Sequence, residues 1–239
     1  MSKNNFATLK KTLMKVTYYG HSCFEVVSEG KSMLFDPFIT PNPLASSINI
    51  SNIKPDYMLI SHGHEDHIAD AVTIAQQSGC MCIGIWELTT WLQSEGIANV
   101  HPMNIGGSRD FDFGTVKMVN AVHSSTLPNG QPGGNPAGYV IQNTEDCFYY
   151  AGDTALHSDM QLIPRRHKLK CAFLPLGSNF TMDVLDAIDA ARMIGTHTVI
   201  GMHYDTFGYI TINHEEAHRA FQSAGINLHL MKIGETLTL

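Results

Sequence analysis

Five short, largely apolar runs in this chain each end at a histidine or an aspartate, directly or after one intervening residue. The polar residues that follow these runs are Asp36, His62, His123, Asp153 and His203. Runs of this length are too short for buried helices and are typical of buried strands. In α/β folds the loops beyond strand ends converge, and functional side chains collect there. One polar residue at a strand end is equally often a satisfied structural group, so the prediction of a site depends on all five together.

The strongest signal follows the second of these runs. His62, His64, Asp66 and His67 fall within six consecutive residues. Neutral imidazole nitrogens and ionised carboxylates are the ligands that zinc and similar divalent cations select. A packed core does not need four such groups together, because each buried polar atom without a partner costs about 1–3 kcal/mol. The segment therefore predicts a metal site rather than an exposed polar loop.

The charge balance argues against a nucleic-acid partner. The chain has 15 Lys and Arg against 22 Asp and Glu, a formal net charge of -7. Nucleic-acid-binding domains instead display clustered basic residues. One basic cluster, Arg165-Arg166-His167-Lys168 with Lys170, is short and is interpreted as a solvated loop after a helix. We therefore expect a small-molecule substrate and no nucleic acid.

The cellular location is predicted from the N-terminal residues and the cysteines. Lys10, Lys11 and Lys15 are not followed by an apolar run that could form a signal-peptide core. No stretch approaches the ~18 apolar residues of a membrane span. The cysteines, interpreted as buried thiols and not as a disulfide or metal pair, are Cys23, Cys80, Cys82, Cys147 and Cys171. These features predict a cytoplasmic protein that does not enter a membrane.

The residue pattern predicts alternating strands and helices in one domain over residues 1–239. A β-meander with a turn at Glu29-Gly30 opens the chain. Strands are predicted over 16–19, 23–27, 32–35, 57–60, 80–83, 99–103, 115–122, 139–142, 147–150, 172–174 and 198–201. Helices are predicted over 69–77, 86–93, 183–194 and 214–224. Mixed strand pairs with interspersed helices imply an α/β sandwich, with sheets in the middle and helices outside.

The histidine cluster resembles the His-X-His-X-Asp-His motif of the metallo-β-lactamase superfamily. His62-Gly63-His64-Glu65-Asp66-His67 matches the motif, and His123, Asp153 and His203 follow in the superfamily's order. The resemblance extends over nearly the whole chain and implies a four-layer αββα sandwich. Other segments are similar to the hydrolase branch related to L-ascorbate-6-phosphate lactonase: Gly20-His21-Ser22, Phe35-Asp36-Pro37, Gly134-Asn135-Pro136-Ala137-Gly138, Phe180-Thr181-Met182, and His203-Tyr204 with Thr206-Phe207.

The resemblance also implies a site for two divalent metal ions, zinc or manganese. By position, the first ion would be held by His62, His64 and His123, the second by Asp66, His67 and His203, and Asp153 would bridge both. Two ions about 3.5–4 Å apart can share a hydroxide and polarise a carbonyl or phosphoryl oxygen. Asp66 could in addition orient that hydroxide. Histidine-rich ligation suits zinc, whereas carboxylate oxygens also admit harder ions.

Two residues outside the motif are predicted to support the site. Asp36 is expected to accept a hydrogen bond from the outer nitrogen of a ligating histidine and so fix its tautomer. The alternative for Asp36 is a turn-forming role before Pro37. His21 is expected to line the pocket or to donate a proton to the leaving group, with packing at a strand end as the rival interpretation.

The remaining candidates lie in loops. Asn179, Thr181 and Tyr204 are predicted substrate contacts. The loop from Leu127 to Gly138 is expected to form a flap on the substrate side that could bind phosphate through its backbone amides, although it lacks a P-loop ending. His157 is interpreted as an exposed helix position in preference to a pocket residue.

These features favour a metal-dependent hydrolase that uses a metal-bridging hydroxide on a small anionic lactone or phosphate-containing ester. One alternative is a phosphodiesterase acting on nucleotides or RNA, which the missing basic patch opposes. Another is a non-catalytic metal-binding regulatory module, which the complete set of seven candidate ligands opposes. A homo-oligomer is compatible with the resemblance, since relatives often form one.

Overall fold

The computed structural model describes residues 13–239, so the interpretation of Lys10 and Lys11 lies outside the described residues. The strands are β1 (Lys15–Gly20), β2 (Cys23–Ser28), β3 (Lys31–Phe35), β4 (Tyr57–Leu59), β5 (Met81–Ile85), β6 (Val100–Met103), β7 (Ser108–Phe111), β8 (Gly114–Asn120), β9 (Ala137–Gln142), β10 (Cys147–Tyr150), β11 (Cys171–Pro175), β12 (Thr198–Met202), β13 (Asn227–His229) and β14 (Thr236–Thr238). The α-helices are α1 (Glu65–Ile68), α2 (Ala71–Ser78), α3 (Trp86–Ser94), α4 (Val184–Ile194) and α5 (His214–Ser223). Short 3-10 helices cover Pro43–Ala45, Ile50–Asn52, Ser158–Arg165 and Gly208–Ile210.

The strands form two seven-stranded mixed sheets. The first sheet has the order β14-β1-β2-β3-β4-β5-β6, and the second has the order β13-β12-β11-β10-β9-β8-β7. In the first sheet β1 to β3 pair antiparallel and β3 to β6 parallel. In the second sheet β7 to β10 pair antiparallel and β10 to β13 parallel. Parallel neighbours need crossover connections, which the helices supply.

Both faces of the central strands are buried, which explains their continuous apolar character. Met33 and Phe35 of β3 point into the core between the sheets, where the Phe35 and Tyr150 rings stack with centroids 4.6 Å apart. Leu34, the residue between them, belongs to a second core that includes residues of α2 and α3. On the opposite side of the molecule, α4 packs against β11. The layers therefore run helix, sheet, sheet, helix, which confirms the predicted αββα sandwich.

The predicted helix over 69–77 is interrupted at its start. Asp70 separates α1 from α2 because its backbone leaves the helical conformation (φ -100°, ψ 1°). Its carboxylate accepts hydrogen bonds from the backbone amides of Ile39 at 2.7 Å and Thr40 at 2.8 Å. This contact fastens the loop after β3 beside the histidine cluster. Helical periodicity could not predict the break, because the two donors are distant in sequence.

Other features agree with the sequence analysis or extend it. Glu29 and Gly30 both have positive φ (49° and 76°), as a type I′ hairpin turn requires. The five cysteines are free and buried, as predicted. In residues 13–239, no helix has the length and apolar composition needed to cross a bilayer. Strands β13 and β14 were not predicted, because three residues carry too little periodicity to identify a strand.

Candidate metal centre

The two sheets bring their polar strand ends together at one edge of the sandwich. His21 follows β1, Asp36 follows β3, and the His62–His67 segment follows β4 in the first sheet. His123, Asp153 and His203 follow β8, β10 and β12 in the second sheet. Two groups of potential ligands each have ligand atoms within 4.8 Å of one another: His62, His64 and His123, and His21, Asp66, His67 and His203. A third group, Asp36, His62 and His67, shares its histidines with these two.

In the first group the inner nitrogens of two histidines face each other. His62 Nε2 lies 3.0 Å from His64 Nδ1. The outer nitrogen of His62, Nδ1, lies 2.9 Å from the hydroxyl of Ser61. The outer nitrogen of His64, Nε2, lies 3.4 Å from the hydroxyl of Ser124. Outer contacts of this kind fix the orientation of each ring and leave one nitrogen for a metal ion.

Asp153 lies between the two groups. Its Oδ2 atom is 2.9 Å from His203 Nε2, 3.3 Å from His67 Nε2 and 3.6 Å from His123 Nε2. The carboxylate therefore contacts histidines of both groups. Its other oxygen, Oδ1, is buried and has no hydrogen-bond partner. A carboxylate in this position could bridge two metal ions, and the bridging role implied by the resemblance stays a prediction.

Asp36 contacts the outer nitrogen of His67, the position predicted for it. The fully buried carboxylate lies 2.7 Å from His67 Nδ1. It also accepts hydrogen bonds from the Ser61 amide at 2.7 Å, the Ser61 hydroxyl at 2.6 Å and the Tyr150 hydroxyl at 2.8 Å. With Nδ1–H donating to Asp36, Nε2 of His67 faces the centre, and it offers a lone pair to a metal ion once the ring is neutral.

The residues present fit a bound divalent metal ion. His67 Nε2 and Asp153 Oδ1 are both buried without a hydrogen-bond partner. Leaving such atoms unpaired is unfavourable, and a cation would satisfy both. Five imidazoles and two carboxylates supply the nitrogen and oxygen donors that zinc or a similar metal prefers.

The pKa values differ between the two groups. Burial lowers the pKa of His62, His64 and His123, so these rings are neutral and able to bind a cation at pH 7. Burial also opposes protonation of His203, but the Asp153 carboxylate outweighs it and raises the pKa to about 9. Burial acts in the same direction on His67, yet Asp153 and Asp36 raise its pKa above the usual value.

We expect metal binding at pH 7 to release protons from the second group. Because the pKa of His203 is raised to about 9, its imidazolium must lose a proton before the ring can bind a metal ion. The number of protons released on metal binding therefore becomes smaller as the pH rises toward 9. Calorimetric titration with zinc in buffers of different ionisation enthalpy measures the number of protons. A binding enthalpy that does not depend on the buffer at pH 7 would contradict the expectation.

Three residues at the centre have a backbone conformation that is rare outside glycine. His21, Asp36 and His203 have φ values of 55°, 43° and 55°. Such conformations cost about 1–3 kcal/mol each and persist where the surrounding structure holds them, commonly at functional sites. The sequence does not identify these positions, because aspartate and histidine adopt positive φ only occasionally, whereas glycine does so readily.

His21 contacts the candidate ligand Asp66, and its expected role of lining the pocket or donating a proton to the leaving group stays a prediction. Its Nε2 lies 3.2 Å from Asp66 Oδ2, and its Nδ1 lies 2.9 Å from the hydroxyl of Thr206. The ring is almost fully buried, and burial lowers its pKa to about 4. A neutral ring with both nitrogens engaged supports Asp66. Thr206, the partner that completes this contact, belongs to a segment of the resemblance but was not predicted as a site residue.

The predicted substrate contacts have different surroundings. Asn179 is exposed, and Thr181 is partly buried with a hydroxyl that has no partner. Their loop is attached beside Asp153, since the Met182 amide donates to the Thr154 carbonyl at 3.2 Å. Tyr204 is buried, and its hydroxyl faces the Met231 carbonyl at 3.5 Å. The prediction of Tyr204 as a substrate contact is therefore wrong, since its polar atom points into the core.

Two further interpretations also change. His157 precedes the 3-10 helix Ser158–Arg165 and is partly buried, with both ring nitrogens inaccessible to solvent. It is therefore not the exposed helix position expected, because the ring is covered by neighbouring residues. The basic cluster begins at the last residue of this 3-10 helix. Arg165, Arg166 and Lys168 are exposed, as predicted for a solvated segment, whereas Lys170 pairs with the buried Asp146.

The loop from Leu127 to Gly138 is fastened to the histidine cluster. A Cβ atom on Gly63 would lie 2.9 Å from Leu127 Cδ2, so this close approach depends on glycine. Four amides of the loop already donate to acceptors within residues 125–133, namely those of Leu127, Gly130, Gln131 and Gly133. A phosphate cradle needs free amides, so the structure favours a supporting role for this part of the loop.

Comparisons with known proteins identify the family. A family model described as a β-lactamase superfamily domain matches residues 32–204. A UPF0173 metal-dependent hydrolase of Flavobacterium johnsoniae is 50% identical over 226 residues, which cover 95% of this chain and 100% of the relative. A protein of the same description from Methylacidiphilum infernorum is 47% identical over 226 residues, with the same coverage. The solved structure of Igni18, a metallo hydrolase from Ignicoccus hospitalis, is 35% identical with a TM-score of 0.86, over 95% of this chain and 99% of that one. The chain therefore belongs to the UPF0173 family of metal-dependent hydrolases, within the metallo-β-lactamase superfamily.

Proposed function

We propose that this hydrolase acts through two metal ions on a small lactone or ester. The observation that carries the proposal is the position of Asp153, whose Oδ2 contacts His67, His123 and His203 from both ligand groups. One ion would be held by His62, His64 and His123, the other by Asp66, His67 and His203, with Asp153 between them. When bound, such ions polarise a carbonyl oxygen and lower the pKa of bound water to about 7.

The protein's own residues would orient the reactants. Asp36 holds His67 in one tautomer, which keeps the Nε2 lone pair directed at the centre. Asp66 has a side chain that is 27% exposed, so it can reach incoming water and substrate. Its Oδ2 contacts His21 and His203, which leaves Oδ1 to accept a hydrogen bond from the attacking water. Burial would raise the pKa of Asp66, but His67, His203 and His21 hold it below its usual range, so the group is ionised.

The surroundings of the centre favour a carbonyl substrate over a phosphate ester. Among the described residues, the hydrogen bonds and ion pairs that surround the candidate ligands involve serine, threonine, tyrosine and aspartate side chains, and no lysine or arginine. Phosphate groups are commonly recognised by arginine or lysine. We therefore place a lactone or carboxylic ester first and a phosphate-containing ester, as the resemblance to L-ascorbate-6-phosphate lactonase implies, second.

Metal analysis and a substrate panel test the proposal. Protein purified without chelator, or reconstituted with zinc or manganese, is expected to contain close to two metal ions per chain and to hydrolyse at least one lactone or ester. Chelation should abolish the activity, and the added metal should restore it. One ion per chain at saturation would contradict the dinuclear site. Two ions without hydrolysis of any lactone, carboxylic ester or phosphate ester would favour a regulatory metal-binding module.

The same substrate panel distinguishes the proposed lactone or ester hydrolase from a phosphodiesterase. Bis(p-nitrophenyl) phosphate and a short RNA report phosphodiesterase activity. Hydrolysis of these compounds at a higher kcat/KM than any lactone or carboxylic ester would replace the present proposal with a phosphodiesterase.

The five free, buried thiols support a reducing compartment, and we propose the cytoplasm as the place of action.

A further inference from the structure

Four aromatic side chains form a surface beside the second ligand group, here called the aromatic wall: Phe38, Phe180, Phe207 and Tyr209. The ring of Phe207 lies 5.4 Å from the ring of His21, between centroids, and 6.2 Å from the ring of Phe38. Phe38 also packs edge-on against His21 at 5.5 Å. Farther out, Phe180 and Tyr209 contact each other at 6.3 Å. Phe207 and Tyr209 are two residues apart in the chain, so the inner and outer pairs lie near each other, and the wall begins at His21, which touches Asp66.

The loops that carry the wall are held in place by the strands of the centre. Phe207 and Tyr209 belong to the segment after His203, where the Asp205 amide donates to the Ile210 carbonyl at 2.9 Å. The Asp205 carboxylate accepts a hydrogen bond from the Ile212 amide at 3.1 Å. Phe180 lies in the loop that is attached beside Asp153 through Thr154. These contacts make the wall a preformed surface.

The outer part of the wall is exposed to solvent, as are parts of two candidate ligands. The exposed fractions are 37% for Phe207, 52% for Phe180 and 78% for Tyr209. The side chains of Asp66 and His123 are also partly exposed, whereas His62 is fully buried. Exposed apolar patches rimmed by polar groups mark binding sites in soluble proteins. Ligand sites are typically lined by aromatic side chains with a few polar groups that fix orientation.

We infer that the aromatic wall binds an uncharged aryl or bulky apolar group of the substrate, next to the bond that is hydrolysed. The inference rests on the proposed function and deepens it, since it assigns a substrate class to the same centre. An aryl group seated on Phe207 would place the adjoining carbonyl near Asp66, because the Phe207 ring contacts His21 and His21 contacts Asp66. The inference replaces the anionic substrate expected from the sequence with a substrate that has an apolar group.

Binding of two carboxylates to the zinc-loaded protein tests the inference without turnover. 4-Phenylbutyrate and butyrate share one carboxylate head and differ only in the phenyl group. We expect calorimetry to show that 4-phenylbutyrate binds at least about 10-fold more tightly, the order of magnitude of an aromatic contact added to apolar burial. Phe207→Ala and Tyr209→Ala should reduce this ratio severalfold. Tyr209→Phe retains the ring and should preserve it, and Leu162→Ala, which removes an exposed apolar side chain elsewhere, should leave it unchanged.

The outcomes separate the inference from the proposed function. Equal affinities for the two carboxylates, or a ratio that the wall variants do not change, would overturn the inference. A phenyl preference in a protein that hydrolyses no ester would support the wall and overturn the proposed function. If the protein is a dimer that Phe180→Ala converts to a monomer while the affinity ratio stays the same, the wall is a self-association surface and the inference is wrong. Light scattering on the same samples gives the mass.

Discussion

An Asp153→Asn variant is expected to lose more than about 100-fold in activity and to bind metal with reduced stoichiometry. Changes to residues that only orient a metal ligand already cost about 10–100-fold, and Asp153 contacts both ligand groups directly. The amide removes the negative charge and places an NH2 group in a position surrounded by imidazole nitrogens. Metal content after extensive dialysis and kcat/KM on the best lactone or ester of the panel measure the two effects.

Asp146→Asn is the matched control for this variant. Asp146 is also a buried carboxylate, and it accepts a hydrogen bond from Ser28 and pairs with Lys170. The same chemical change there should lower the free energy of unfolding but leave two metal ions per chain. Wild-type activity and metal content in Asp153→Asn would overturn the bridging role and, with it, the dinuclear proposal.

Among the variants discussed here, Asp36→Ala is expected to show the largest decrease in the free energy of unfolding. The carboxylate is fully buried and accepts from the Ser61 amide, the Ser61 hydroxyl, the Tyr150 hydroxyl and the His67 ring. Each donor left without a partner costs about 1–3 kcal/mol. We therefore expect the free energy of unfolding to fall by about 4 kcal/mol or more, a large part of the 5–15 kcal/mol typical of a folded domain. Urea denaturation of the metal-free proteins measures the difference.

Asp36→Asn separates the effect on the metal centre from the effect on folding. The amide has nearly the same shape and its oxygen can still accept from Ser61, so most of the stability should remain. It no longer accepts a charge-assisted hydrogen bond from His67, so zinc affinity should fall by about 10–100-fold. Competition with a chromophoric chelator gives the affinity. An unchanged affinity in Asp36→Asn would leave Asp36 with only the turn-forming role that the sequence also allowed.

The candidate ligands could be predicted because their signal is local. The His62–His67 segment needs only its own spacing, and the strand ends before His123, Asp153 and His203 are recognisable from the apolar runs that precede them. The support for these residues is not local. Tyr150 donates to Asp36 across 114 positions of the chain, and Thr206 contacts His21 across 185. Such pairs depend on the alignment of two sheets, which no short-range pattern encodes.

The side-chain directions in residues 203–207, which follow β12, could not be predicted from the sequence. Alternation along an extended strand would place neighbouring side chains on opposite faces. His203 and Asp205 have positive φ (55° and 62°), so the backbone leaves the extended conformation on both sides of Tyr204. Tyr204 is consequently buried while Phe207 is exposed beside His21. The loop that was expected to contact substrate through Tyr204 instead presents an aromatic ring three residues later.

The amino-acid sequence by itself determined the residue types of the candidate site, the order of its candidate ligands and the layered α/β architecture, because these follow from residue types and short apolar runs. Only the tertiary structure decided which nitrogen of His62, His64 and His67 faces the centre, because that choice depends on the partner of the other nitrogen. It also decided that Asp153 is shared between the two groups and that aromatic side chains flank the centre. These properties arise where loops from two sheets meet, and their geometry depends on packing between residues far apart in the chain.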